Sequence, residues 1–310
     1  MSMLLTDAQA YVSRVIAGQG DANTLLAALD SIRSTFAKWN ALRDWTFLLQ
    51  DNSDTTSIAS CVIAGDGVTV TNATAGALFG VNVGQTVTGT GIPANTTVAT
   101  VTETAGAGVT AFTLSAASTP ATVTMTFSAY IPVLAGVQRY NLPLAFHKPY
   151  TARLLNNAQP LEYVKLREID RKFALQTPSA IPAVYTIYNV HAFSVAAQHH
   201  HIRLFPIPSG VDNMLLKYYR TMDPASTTLD IPDEFLYVFL DDARVHLLES
   251  KAEDDPRLPI LMASVQKGIA RCIAEDDEES EDEDIRLMSQ MEAGASWYVR
   301  NRDLGWWWGD

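Results

Sequence analysis

The sequence predicts an α+β protein: a helical bundle drawn from the N- and C-terminal helices, a central β-rich region, and an inserted antiparallel β-sandwich-like module. Three observations predict it. Apolar residues recur every three or four positions near both ends of the chain. Through the middle they alternate at period two. Over 55–127 the composition turns abruptly rich in Thr, Val, Ala and Gly and nearly loses its charge. The expected organisation is an N-terminal helical hairpin over 1–54, the inserted module over 55–127, a β-rich region over 128–222, C-terminal helices completing the bundle over 223–296, and an arm over 297–310. With 310 residues, 47% of them hydrophobic, the chain has enough apolar surface for a sizeable core.

Each element has a local reason. Thr6 and Gln9 have the spacing of a capping box, which would satisfy free backbone donors at a helix start. Ala8, Tyr11, Val12, Val15 and Ile16 then share one helical face, and Gly18 and Gly20 end the helix. A second helix starts near Asn23, with Leu25, Leu29, Ile32, Phe36 and Trp39 as its packing stripe. In 55–127, VTVTNA, QTVTGTGI, TTVATVT, FTLS and TVTMTF are β-branched runs separated by Gly, Asn and Pro turns. Strands are expected again at 137–142, 151–155, 184–188, 202–204 and 214–220, interrupted by a short helix near 166–175. Pro232 suits a first helical position, and Asp233 and Glu234 complement the helix dipole behind it. Phe235, Leu236, Phe239, Leu240, Ala243 and Leu247 form that helix's apolar face. Pro256 and Pro259 introduce a last helix carrying Leu261, Val265, Ile269 and Ile273.

Bulk properties narrow the function. A formal net charge of −12 argues against tight, sequence-independent DNA binding, which needs clustered Lys and Arg to neutralise phosphates. The same charge suits a passage through which DNA slides. Cys61 and Cys272 lie too far apart in sequence for a disulfide framework or a metal-ligand spacing, and read as reduced, buried thiols. No apolar run approaches the roughly 18 residues of a transmembrane helix. The first residues lack the basic start and apolar stretch of a signal peptide, so synthesis in a cytoplasm without export is expected.

Several clusters stand out as candidate sites. The strongest is the run Glu275, Asp276, Asp277, Glu278, Glu279, Glu281, Asp282, Glu283, Asp284. It reads as a solvated helix edge, as an acidic surface facing a DNA passage in an assembly, or as a contact for a basic patch on a neighbouring subunit. It lacks the glycine turn and ligand spacing of an EF-hand. His199, His200 and His201, with His191 nearby, read as an exposed hairpin tip, since successive strand residues point to opposite faces and cannot ligate one ion. Lys165, Arg167, Arg171 and Lys172 belong to the most basic stretch. Trp297, Trp306, Trp307 and Trp308 mark the C-terminal arm. Such a cluster either folds back on its own core or docks into a groove on another subunit or partner, and the second reading is preferred because Trp dominates interface hot spots. No GxSxG, HExxH, GxxxxGKS or GxGxxG motif occurs. No catalytic residue, metal site or cofactor is assigned, and the chain is not read as an enzyme.

IPAVYTIY (181–188), IRLFPIP (202–208), KYYR (217–220) and IPDEF (231–235) follow one another in this order. This wording resembles the head-to-tail adaptor proteins of tailed bacteriophages, also called connector, tail-tubular or tail accessory factor proteins. The resemblance covers about 130–291 with the N-terminal hairpin and skips 55–127. It implies a virion protein at the portal vertex, one subunit of a homo-oligomeric, twelve-fold ring joining the portal to the tail. Its implied partners are the portal protein, tail, nozzle or fibre proteins, and double-stranded DNA passing without specific binding; no membrane is involved. The insertion departs from the pattern and is expected to project toward tail or fibre proteins. Two rival readings stand: another tail, baseplate or fibre-attachment protein, and a virion-associated cell-wall hydrolase.

Overall fold

The computed structural model describes residues 3–16, 21–74, 76–104, 108–156, 160–173, 179–190, 199–222, 228–229 and 231–292; for 278–292 and a few residues at element ends it describes the backbone alone. Five helices run Leu5–Ser13 (α1), Ala22–Leu42 (α2), Leu166–Phe173 (α3), Asp233–Lys251 (α4) and Leu258–Glu292 (α5). The fold is mixed α+β, with helices from both ends of the chain and a central β-rich region. It divides into two compact units, Met1–Leu48 with Met222–Asp310, and Leu49–Thr221.

In the helical unit, α1, α2, α4 and α5 surround one core. The periodic positions fill it: Ala8, Val12, Ile32, Phe36, Trp39, Phe235, Phe239, Leu240, Ala243 and Leu247 are all buried. Trp39 stacks on Trp45 with ring centroids 5.0 Å apart, and Phe239 meets Trp39 edge-on at 5.4 Å. Offset and edge-to-face pairs of this kind add to the area they bury. Asp21 caps α2, accepting a hydrogen bond from the Asn23 N–H at 3.2 Å. The capping box at Thr6–Gln9 does not form. Met3–Leu4 instead pairs with Thr228–Leu229 as a two-stranded ladder, and the chain turns directly from it into α1 at Leu5. Pro232 likewise stands one place before α4 and accepts its first hydrogen bonds, from Phe235 and Leu236. The helix end expected at Gly18 and Gly20 lies outside the described residues.

Among the described residues the β unit holds two large curled sheets and a two-stranded parallel ladder, Ser179–Ala180 with Ile207–Pro208. The first contains Thr56–Ile63, Thr69–Asn72, Val87–Gly89, Val98–Thr104, Gly108–Leu114 and Thr122–Phe127, all antiparallel. Its edge strands are Val87–Gly89 and Val98–Thr104. They meet through an antiparallel bridge between Thr86 and Thr97, beside bonds from Val87 N to Thr96 O (2.8 Å) and Val98 N to Gln85 O (2.9 Å). The sheet therefore wraps around its own core of Val70, Val98, Phe112, Met125 and Phe127, and the pairing leaves little open edge. The β-branched residues that suggested strands sit on the pleat as expected: Val inward, and Thr outward in pairs such as Thr100–Thr113 at 2.7 Å.

The second sheet has eight strands. Arg139–Asn141, His199–Phe205, Val184–Val190, Pro160–Tyr163, Phe146–Leu154 and Asp212–Arg220 lie side by side in that order. Pro160–Tyr163 and Val184–Val190 pair in parallel, with α3 in the connection between them. Two three-residue strands, Leu49–Asp51 and Ile131–Val133, share the outer edge of Asp212–Arg220 end to end. They are successive pieces of one edge, interrupted by the whole of the first sheet. The break is sealed. Tyr130 N donates to Asn52 O at 2.7 Å, and the Asn52 side chain bridges Leu216 N (2.9 Å) and Met214 O (3.1 Å) where the ladder would otherwise lapse. The first sheet thus leaves and rejoins the second at a single point.

Candidate functional site

The acidic run begins inside α5, and its first three carboxylates have different surroundings. Glu275 pairs on the surface with Arg271, four residues earlier, at 2.7 Å. Asp276 is fully buried, accepting bonds from Thr46 N (2.8 Å) and Thr46 Oγ1 (2.6 Å). Arg43 Nε lies 3.0 Å from its Oδ2, too misaligned for a hydrogen bond, so that contact is ionic rather than directional. Arg43 also reaches Asp277 at 2.7 Å and the Ile273 carbonyl at 3.1 Å, with its guanidinium 5.6 Å from the Trp45 ring centre. Asp276 therefore fastens the corner after α2 to α5. For Glu278, Glu279, Glu281, Asp282, Glu283 and Asp284 the structure gives helical backbone only. Trp297, Trp306, Trp307 and Trp308 lie outside the described residues.

A second buried carboxylate, Asp242 on α4, accepts from Trp39 Nε1 at 3.0 Å and from Lys38 Nζ at 2.6 Å. Both buried acids have neutral hydrogen-bond donors and a cation beside them, the condition for leaving a charge inside a protein. On the surface of the same unit, Tyr237 is 62% exposed and meets Tyr11 edge-on at 6.4 Å. Arg244 lies over the Tyr11 ring at 3.6 Å and is held by Asp241 at 3.0 Å. Burial, then the Asp241 charge, raises the Tyr11 pKa. An exposed tyrosine braced by a second tyrosine and a fixed arginine has the composition of an interface anchor. Sequence reasoning missed it because Tyr11 and Tyr237 stand at opposite ends of the chain, and nothing local pairs them.

The histidines are not at a hairpin tip. His199–Phe205 is a strand inside the larger sheet, paired along its length with Val184–Val190. Strand alternation sends His200 against Phe146, with centroids 5.2 Å apart, and His201 beside Tyr188 at 5.5 Å. His201 is 1% exposed, and its Nε2 stands 3.4 Å from Glu103, which also receives Arg139 at 2.6 Å. Burial first, then the neighbouring His147 and His201, lowers the His200 pKa. His191 is outside the described residues.

Three further features complete the survey. Lys165, Arg167 and Arg171 are exposed, Arg167 and Arg171 four residues apart on α3, whose Ile169 is buried. Cys61 and Cys272 are free and buried, and burial pushes the Cys272 thiol up to about 11, away from thiolate chemistry. A cavity of about 40 Å³ between the two sheets is lined by Asn52, Gln85, Tyr130, Asn141, Leu216 and Tyr218, among others, and is water-sized rather than ligand-sized. Among the described residues no group of three or more His, Cys, Asp or Glu is placed to hold a metal ion, and no helix is long and apolar enough to cross a membrane.

Against known proteins, a family model described as SU10 adaptor protein matches residues 92–290. The match begins inside the six-stranded sheet, takes in the larger sheet from Ile131 onward, and runs through α4 into the last turns of α5. It therefore includes part of the inserted region that the sequence resemblance skips, and excludes the N-terminal hairpin. No curated protein matches the chain.

Proposed function

This chain belongs to the SU10 adaptor protein family, whose members are bacteriophage structural adaptors, and from that premise we propose that it is a head-to-tail adaptor of the virion. Copies form a closed ring under the portal, extend the DNA channel, and present the surface on which the tail assembles. The family match over both units is the observation that carries this reading. The chemistry of the chain supports it. Its work is mechanical, so it needs rigid units, surfaces that neighbours recognise, and a passage that does not hold DNA. The curled, edge-poor sheets and the aromatic helical core supply rigidity. The Tyr11–Tyr237–Arg244 surface supplies a preformed contact. A ring gives every subunit two different contacts, one to each neighbour, because its interfaces are heterologous. The net charge of −12, with carboxylates from Asp277 onward in α5, suits a lumen that repels phosphate and keeps DNA moving. The tryptophan arm anchors the ring to the portal or to the next component.

The test is genetic. Particles assembled without this chain are expected to be heads that carry no tail and lose their DNA. Tailed, infectious particles from the same deletion would overturn the proposal. With the chain supplied but shortened by 306–310, the subunit is expected to fold normally and to join the head poorly.

A further inference from the structure

The two large sheets of the β unit meet through polar groups. Asn82, in the loop before Val87–Gly89, donates from Nδ2 to the Asn141 carbonyl at 2.9 Å and accepts the Asn141 N–H at 2.7 Å. Asn141 answers by donating from its own Nδ2 to the Val81 carbonyl at 3.0 Å. Farther along, Glu103 of the six-stranded sheet receives Arg139 of the larger one at 2.6 Å. A seam of this kind has a strict requirement. Each buried polar atom in it must find a partner, because desolvation without a hydrogen bond is unfavourable.

One atom of the seam does not meet that requirement within the protein. Asn141 is 5% exposed, and its Oδ1 is buried and accepts no hydrogen bond among the described residues. Asn141 also lines the cavity of about 40 Å³ between the sheets, together with Gln85 from the six-stranded sheet and Ser128 from the link that returns to the larger one. Both neighbours have donors to spare. Gln85 uses its Oε1 to accept from the Asn82 N–H at 2.7 Å, which leaves its amide protons. Ser128 Oγ accepts from Thr86 N at 3.1 Å, which leaves its hydroxyl proton. The cavity exceeds the roughly 10–15 Å³ that one water needs, and its lining supplies the about two to four polar partners that hold a buried water.

We propose that this cavity is a buried water site, in which an ordered water donates to Asn141 Oδ1 and accepts from Gln85 Nε2 or Ser128 Oγ. The donor set favours water over a metal ion. Hard cations such as Ca²⁺ gather about six to eight oxygens, several of them carboxylate, and Asp54 is the single carboxylate in this lining. A water instead uses an acceptor and a donor side by side, the combination that Asn141, Gln85 and Ser128 offer. It joins the larger sheet to the inserted one beside the point where the chain passes between them, and so belongs to the structure that sets the direction of the insertion. The inference concerns the β unit alone and stands apart from the ring reading above.

The experiment is a crystal structure of the full chain, at a resolution that shows ordered water, compared with that of Asn141→Val. Wild type is expected to show a peak roughly 2.7–3.2 Å from Asn141 Oδ1 and from Gln85 Nε2 or Ser128 Oγ. Asn141→Val is of similar size but offers no acceptor, and is expected to lose that peak. Should the variant fail to fold, the wild-type map decides by itself. A wild-type map with no peak within reach of Asn141 Oδ1 would overturn the inference, as would a peak that persists unchanged in Asn141→Val. A peak with about six oxygen neighbours at roughly 2.3–2.6 Å would identify a cation and overturn it as well.

Discussion

Removing the Asp276 carboxylate should damage the helical unit far more than removing either of its neighbours, although all three sit in one acidic run. Asp276→Ala deletes the acceptor for Thr46 N and Thr46 Oγ1, at 2.8 and 2.6 Å, and one of the two carboxylates beside Arg43. Hydrogen bonds to a charged group contribute about 1.5–3 kcal/mol each. Thr46 is half-buried, so water recovers part of the loss, and Arg43 keeps Asp277. The expected cost is about 3–5 kcal/mol, the range for breaking a buried, paired charge. Glu275→Ala and Asp277→Ala should each cost about 0–1 kcal/mol, as exposed pairs do; the Arg271 and Asp277 side chains are 74% and 60% exposed. Arg43→Ala should also be costly, because it leaves Asp276 charged and buried without its cation. The double variant should cost less than the sum by more than about 1 kcal/mol, the coupling expected of residues in contact. Urea unfolding followed by tryptophan fluorescence reads this unit, since Trp39 and Trp45 are buried in its core and the β unit, residues 49–221, contains no tryptophan. Equal costs at positions 275, 276 and 277, or strict additivity with Arg43, would refute the reasoning.

Other perturbations follow from the same packing. Replacing 55–127 by a short glycine–serine link should leave the larger sheet folded, because Asn52 and Tyr130 already meet at 2.7 Å; the cost is about 3–4 kcal/mol, from three hydrogen bonds of about 1 kcal/mol each joining Asn82 and Val81 to Asn141 and from the exposed pair of Glu103 with Arg139, worth about 0–1 kcal/mol. Circular dichroism and proteolysis would check it, and a chain that no longer resists protease would contradict the continuous-edge description. A Cβ at Gly268 would stand 2.9 Å from Val238 Cγ1, so Gly268→Ala should lose about 1–3 kcal/mol to overpacking against a propensity gain of about 1 kcal/mol. Adding Val238→Ala should restore part of the thermal midpoint. The β unit should weaken on acidification: His200 has a lowered pKa and stays neutral when folded, so its contribution is intact above the ordinary histidine value near 6.5 and declines as the pH falls below it. His200→Phe should flatten that decline when tyrosine near-ultraviolet dichroism is followed between pH 8 and 5.

Much of this architecture was legible in the chain, and what was not has physical causes. The stripes of α2 and α4 declared themselves because each buries one face at a period near 3.6. The threonine-rich strands did so because β-branched residues repeat across narrow turns. Leu49–Asp51, Ile131–Val133 and Pro160–Tyr163 escaped notice because three or four residues are too few to show a period, and their pairing partners are remote in sequence. The capping box at Thr6 was a sound local signal overruled by a long-range one, the ladder between Met3–Leu4 and Thr228–Leu229. The histidines were misplaced because a polar run resembles a turn, whereas Phe146, Tyr188 and Glu103 give it a buried setting. Within the acidic run, composition could not single out Asp276, since its burial depends on Arg43 and Thr46 from the other end of the chain.

The measurement that tests the adaptor reading most directly is electron microscopy of the purified chain mixed with the portal ring of its own phage. The account predicts a twelve-fold collar stacked coaxially on the portal around an open channel. A chain that leaves the portal bare, or that closes into a ring of another symmetry without it, would contradict the account and favour a tail or baseplate role.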